Sequence, residues 1–296
     1  MCGIFGYGFK AGAASEGTRA ILASRLAEAN DDRGGDSWGY ALLGADGPRI
    51  KRGLGKLVNH APEIGGALTC FAHTRWATHG AKTLDNAHPF EIGGIIGAHN
   101  GIIYNHRELC VEYSRMFAVD SMHVFAHLHE GRGLDDLQGY GSIEWVTKDD
   151  LTAPRLCMLQ GGELSIFGIG TPEKTLGVVW SSEAKPLKEA LRRAGLREHF
   201  AYRVDESQVY RVVDGGLYMV DHHLSLSETR TSTKKWYEYA SIDDMADSRA
   251  MGLASDDMAD FHGDKYQGWW PDSWDKGGDD EDASYEELSA FRKAIK

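Results

Sequence analysis

The sequence contains no CxxC pair, no long basic run and no apolar segment of membrane-spanning length. Its four cysteines, Cys2, Cys70, Cys110 and Cys157, are scattered. That spacing gives no support to zinc-ribbon or thioredoxin-type chemistry and fits a reducing compartment. The most apolar stretch, residues 92–98, is short and broken by glycine, far below the ~20 residues of a spanning helix. The residues around Met1 carry no basic leader segment, so no membrane role and a cytoplasmic location are expected. Formal net charge is −12, which removes the basic surface that nucleic-acid binding requires. Gly6-Tyr7-Gly8 lacks the third glycine of a dinucleotide loop. No cofactor and no metal are expected.

What the chain does have is length and glycine. Its 296 residues suffice for one large domain with a proper core. Its 36 glycines point to tight turns and close backbone approaches. Charge is unevenly spread: residues 225–296 hold 17 acidic and 9 basic residues. That stretch has few β-branched residues but carries Trp236, Trp269, Trp270 and Trp274. It reads as an acidic extension with aromatic anchor points, partly disordered or partner-binding. A solvated tail that folds a few tryptophans back on the body is the plainer alternative. The division expected is a globular domain over 1–224 and the extension over 225–296.

Within 1–224, short apolar runs bounded by glycine predict strands at 4–9, 38–43, 68–72, 94–98, 143–147, 155–160, 164–168, 177–181, 208–213 and 217–220. Hairpin-length turns are expected at Gly161-Gly162 and at Asp214-Gly215-Gly216. Helical spacing covers 18–30, 106–116, 121–130 and 183–194, with Pro186 tolerated near the first turn of the last. Antiparallel strands with segregated helices imply a layered α+β domain.

The chemistry concentrates at the start. If Met1 is removed, Cys2 carries a thiol and a free α-amine on one residue. The amine titrates near ~7.7–8.0 and the thiol near ~8.5, so the amine can take the thiol proton at neutral pH. Such a residue is a nucleophile with its own general base. An ordinary cysteine at a frayed terminus is the alternative, but residues 3–6 read as a strand that would hold the end in place. Three polar clusters accompany it: residues 33–39 (Arg-Gly-Gly-Asp-Ser-Trp-Gly), residues 73–80 (His-Thr-Arg-Trp-Ala-Thr-His-Gly), and residues 99–103 (His-Asn-Gly-Ile-Ile) preceded by 86–90. Each alone reads equally as a strand end with turn residues. Together they supply what thiolate attack on an amide needs. Asn100 and Gly101 offer oxyanion donors. Arg75 offers a fork for a carboxylate, and Asp120 is a candidate partner for a substrate ammonium.

The chain resembles the glutaminase domain of class II glutamine amidotransferases, which are N-terminal-nucleophile hydrolases. The resemblance rests on Cys2-Gly3-Ile4-Phe5-Gly6-Tyr7, on residues 33–39, on the octapeptide at 73–80, on Ala87-His88-Pro89, and on residues 99–103 followed by Asn105-His106. It extends, with weaker sections, to about Val220. The resemblance implies a four-layer αββα fold with two stacked antiparallel sheets. It implies Cys2 as nucleophile, its α-amine as base, and Asn100 with Gly101 as oxyanion hole. It implies Arg75 on the glutamine α-carboxylate, Thr78 and His79 shaping the pocket, Trp76 closing over it, Asp120 on the substrate ammonium, and Arg33 at the nucleophile's end of the site. One stretch departs from the pattern: Met122 stands where the family has glutamate.

Synthases of this family carry a second domain that accepts ammonia, and the residues after 224 are too few and too polar for one. Glutamine as substrate with a separate ammonia-acceptor enzyme is therefore expected. Hydrolysis of another γ-glutamyl amide, or a silent binding protein retaining the fold, are the alternatives. His123 and His127 at i,i+4 could ligate zinc, but no HExxH is present and a half-buried helix explains them more simply.

Overall fold

The computed structural model describes residues 2–77, 81–171, 173–197 and 200–227. Met1, Thr78, His79 and all but the first three residues of the expected acidic extension lie outside them.

Seven strands form one antiparallel sheet: β1 (Gly3–Phe9), β2 (Ser37–Leu43), β3 (Arg49–Leu54), β4 (Thr69–Arg75), β9 (Ser165–Gly170), β10 (Thr175–Ser181) and β11 (Phe200–Ala201). They run in the order β11-β9-β10-β1-β4-β2-β3. Six form a second: β5 (Phe90–Ile92), β6 (Ile95–Ile103), β7 (Gly139–Thr147), β8 (Asp150–Met158), β12 (Gln208–Val213) and β13 (Gly216–His223), in the order β13-β12-β8-β7-β6-β5. Helices α1 (Glu16–Asp31) and α4 (Ala184–Arg193) cover the first sheet, and α2 (His106–Glu112) and α3 (Met122–His129) cover the second.

Strand alternation produces the layers. Along β1, Phe5, Tyr7 and Phe9 point to the α1/α4 core, while Ile4 joins the core between the sheets. Between-sheet positions 6 and 8 are glycine. A Cβ on Gly6 would lie 2.3 Å from the Trp180 ring and 2.5 Å from the Cys70 carbonyl, so this face of β1 admits no side chain. In the second sheet, Ile96, Ala98, Val146 and Leu156 face the first, and Ile143, Trp145 and Cys157 face α3. The result is the expected αββα sandwich, with three apolar cores between four layers.

The structure corrects four local expectations. Gly161-Gly162 is not a hairpin: it follows β8 of one sheet and precedes β9 of the other, so the chain crosses between sheets there. The Asp214-Gly215 hairpin does form, with both residues at positive φ (44° and 69°). Helix α2 stops at Glu112 rather than 116, because Ser114 adopts φ 51° and Arg115 N–H closes back on the Cys110 carbonyl. Strand β3, unpredicted, is an exposed edge strand whose charges suit that place. Leu224 and Leu226 are buried against the second core, Leu226 lying two residues past the expected boundary.

One carboxyl lies between the sheets. Glu144 is fully buried, and Trp180 Nε1 donates to its Oε2 at 2.7 Å. Burial pushes its pKa well above the usual carboxylate range. The folded state therefore keeps a proton that the unfolded chain releases as pH rises past about 4.5, and stability is lost with rising pH. Glu144→Gln removes this dependence. Its unfolding free energy relative to the parent should grow by up to about 1.4 kcal/mol per pH unit above that point. Urea titrations of both proteins from pH 5 to 8 check it; a constant difference would contradict it.

Candidate active site

Cys2 immediately precedes β1, which lies at the centre of its sheet between β10 and β4. Its carbonyl accepts from Arg33 Nε at 2.9 Å. Its Sγ receives the Trp76 N–H at 3.3 Å and reaches the Trp76 carbonyl at 3.5 Å. Two residues on, Ile4 N–H donates to Ser182 Oγ at 3.0 Å, and Ser182 N–H returns to the Ile4 carbonyl. Gly3 packs so closely on Asn30 that a Cβ would stand 2.3 Å from its Oδ1. The end of β1 is thus tied from three directions.

Arg33 joins helix α1 to this end. Its other guanidinium nitrogens pair with Glu163 at 2.7 Å and with Glu183. All three of its guanidinium nitrogens are thus engaged within the chain, at the Cys2 end of β1 where the resemblance placed it.

Dense packing around the sulfur pushes the Cys2 thiol up in pKa, while the Trp76 N–H and the Arg75 guanidinium pull it down and Asp120 pushes it up. Burial is the largest of these, so the resting group is a thiol and attack requires a base. Arg75 ends β4, buried, and interacts electrostatically with Cys2, Asp120 and Asp36. Asp120 is buried too, and one carboxylate oxygen accepts the Ile103 N–H at 2.7 Å. A buried guanidinium and a buried carboxylate of opposite sign therefore both act electrostatically on the Cys2 sulfur. Asp36 steadies the loop between them, accepting the Ala77 N–H at 2.8 Å and pairing with Lys82 at 2.9 Å.

Asn100 and Gly101 lie on β6, in the other sheet. Asn100 Nδ2 donates to Ser182 Oγ at 3.0 Å, so the same hydroxyl bridges the oxyanion candidate and β1. Gly101 sits opposite Gly141 on β7. A Cβ there would lie 2.0 Å from the Tyr140 carbonyl and 2.4 Å from His99 Nε2. Trp76, half exposed, borders the sulfur through its backbone. Met122, in the place of the family's glutamate, packs against the second core.

Beneath these groups lie three buried histidines whose roles the sequence did not disclose. His73 and His88 meet at Nδ1–Nδ1 3.2 Å. Burial above all, with Arg75 and neighbouring imidazoles, pulls His73 down to about 3 and His88 well below its ordinary value. His99 is lowered by burial as well. Its Nε2 lies 3.2 Å from the Tyr140 carbonyl, which can only accept, so Nε2 carries the proton and Nδ1 accepts from Ser121 Oγ at 3.0 Å. Neutral imidazoles leave Arg75 and Asp120 as the charges facing the sulfur. Ser182 and Asn30 were also missed; no local pattern marks them, because their partners are distant in sequence.

Comparison with known proteins follows this geometry. No protein-family model matches the chain. It is 35% identical over 202 residues to the glutamine–fructose-6-phosphate aminotransferase (isomerizing) of Vibrio parahaemolyticus, covering 60% of this chain and 31% of that protein. It is 42% identical over 114 residues to the same enzyme of Acinetobacter baylyi, covering 37% and 18%. The chain thus spans less than a third of the length of these relatives. Among solved structures it resembles the glutamine phosphoribosylpyrophosphate amidotransferase of B. subtilis (TM-score 0.53, 18% identity, 74% of this chain and 49% of that one). It also resembles an allosteric regulatory enzyme of purine biosynthesis (TM-score 0.55, 20% identity, 74% and 48%).

Gly101→Ala offers a test of the site's packing. The added methyl meets backbone rather than a movable side chain, so a loss of about 1–3 kcal/mol is expected in urea denaturation; an unchanged midpoint would contradict the close β6–β7 approach. In sequence the chain is similar to part of the glutamine–fructose-6-phosphate aminotransferases, and its fold is that seen in the glutamine phosphoribosylpyrophosphate amidotransferase.

Proposed function

We propose that this chain hydrolyses the side-chain amide of glutamine to glutamate and ammonia, with Cys2 as nucleophile. The observation that carries the reading is Cys2 at the head of the central strand β1, its Sγ against the Trp76 N–H and under the opposed charges of Arg75 and Asp120. That pairing suits the α-carboxylate and α-ammonium of an amino acid whose side chain reaches the sulfur. Thr78 and His79, in the same loop as Trp76, would complete the pocket.

The chemistry runs as follows once Met1 is removed. The Cys2 α-amine takes the thiol proton, and the thiolate adds to the glutamine amide carbon. The oxyanion is held by Asn100 Nδ2 and the Gly101 N–H. The C–N bond breaks as the α-ammonium gives its proton to the leaving nitrogen, releasing ammonia and a γ-glutamyl thioester. Water, deprotonated by the same amine, cleaves the thioester to glutamate and restores the thiol. Because burial raises the thiol pKa, no thiolate waits at rest and the adjacent amine is needed as base. Arg33 and Ser182 keep the first residues of β1 still while the bonds change.

In this reading the released ammonia passes to an acceptor enzyme. Among the described residues no helix is long and apolar enough to cross a membrane, in keeping with work in the cytoplasm.

Cys2→Ala should abolish glutamate release from glutamine, measured with purified protein at neutral pH. Asn100→Ala should lower kcat by roughly 10²–10³, while Arg75→Lys should act mainly by raising KM. Undiminished turnover in Cys2→Ala would overturn the proposal. Faster cleavage of a bulky γ-glutamyl amide than of glutamine would reassign the substrate.

A further inference from the structure

Away from Cys2, the contact between the two helices over the second sheet gathers a different set of groups. His106 begins α2, and Cys110 follows one turn later on the same face. His123 lies in the first turn of α3. Cys110 Sγ is 3.8 Å from His106 Nδ1 and 3.6 Å from His123 Nε2, and the two nitrogens are 2.9 Å apart. In the plane of these atoms, the equidistant point lies about 2.0 Å from each, close to the ~2.0–2.1 Å and ~2.3 Å that zinc takes to imidazole and thiolate. A small displacement of the ion from that plane satisfies all three and leaves a fourth position open.

We propose that His106, Cys110 and His123 bind one zinc ion, with water completing a tetrahedron. This site is independent of the glutamine-hydrolysis reading. Both histidines are buried, and Cys110 is partly exposed, which provides the side from which ion and water enter. Burial, then the neighbouring His106, Arg115 and His127, hold His123 down at about 3, so it is neutral and ready to ligate. Cys110 rests as a thiol, its pKa raised by burial. Zinc binding therefore forms the S–Zn bond and sends the thiol proton to solvent.

The second sphere accommodates the added charge. Arg115 Nη1 is 3.3 Å from His123 Nδ1 and 3.0 Å from His127 Nδ1. When His123 Nε2 ligates, its proton sits on Nδ1, and the Arg115 contact to that nitrogen is given up. Arg115 stays anchored by Glu130 at 2.7 Å and over the Tyr113 ring at 4.4 Å. The thiolate, Glu130 and Asp136, which pairs with His127 at 3.1 Å, offset the cationic groups. The histidine pair suggested by helical spacing, His123 with His127, is not the one that converges: His127 turns to Asp136, and His123 turns across to α2.

The test uses the full chain as Cys2→Ala, which removes the competing N-terminal thiol, stripped with a chelator and titrated with Co²⁺. One equivalent should produce a thiolate-to-cobalt charge-transfer band with tetrahedral d–d absorption, displaced by Zn²⁺. Zinc should also raise Tm. Adding Cys110→Ser should abolish the charge-transfer band, and adding His123→Gln should weaken binding at least tenfold. Folded Cys2→Ala protein with no such band at saturating Co²⁺ would overturn the site, whatever the double variants do. Persistence of the band without Cys110 would overturn it as well.

Discussion

The site depends on immobilising a residue that would ordinarily fray. Chain ends are poorly ordered unless something ties them down, and here β1 enters the middle of a seven-stranded sheet with partners on both sides. Arg33 holds the Cys2 carbonyl, the Trp76 N–H meets the sulfur, and Ser182 holds Ile4. Those three groups come from the end of helix α1, the end of β4 and the end of β10. The position of Cys2 is therefore set by the packing of the whole first sheet and its helix layer. Ser182 extends the dependence to the second sheet through Asn100.

Close backbone approach makes this possible. Gly6 leaves room for the Trp180 ring, and Gly101 lets β6 lie against Tyr140 without a side chain between. Burial then simplifies the electrostatics. His73, His88 and His99 are held neutral by lost hydration. Besides the chain-terminal ammonium, the side-chain charges felt by the sulfur come from Arg75 and Asp120. Their opposed signs suit a zwitterionic amino acid better than a simple acid or amine.

Much of this was legible in the sequence because the chemistry is local there. Cys2 next to Met1, Arg75 within an eight-residue motif, and Asn100-Gly101 at a strand end each carry their meaning in adjacent residues. The strands of a layered α+β domain were legible too, since glycine-bounded apolar runs mark them; the stacking of two sheets was implied by the family resemblance. What stayed hidden depends on distant pairing. Ser182 and Asn30 look like ordinary polar residues at element ends until the sheet brings them to β1. Gly161-Gly162 has the composition of a hairpin, yet it joins different sheets, and composition does not encode that. Strand β3 escaped notice because an exposed edge carries charge where a core strand carries valine. The convergence of His123 on His106 and Cys110 rather than on His127 follows from how α3 lies across α2, which helical spacing alone does not contain.

The account comes down to a single covalent fact, whether the sulfur and the free chain-terminal nitrogen belong to the same residue in the working protein. Intact-mass measurement on material actively releasing glutamate answers it directly. A mass lacking the initiator methionine, with activity proportional to that species, is the predicted result. Full activity in protein that still carries Met1 would contradict it.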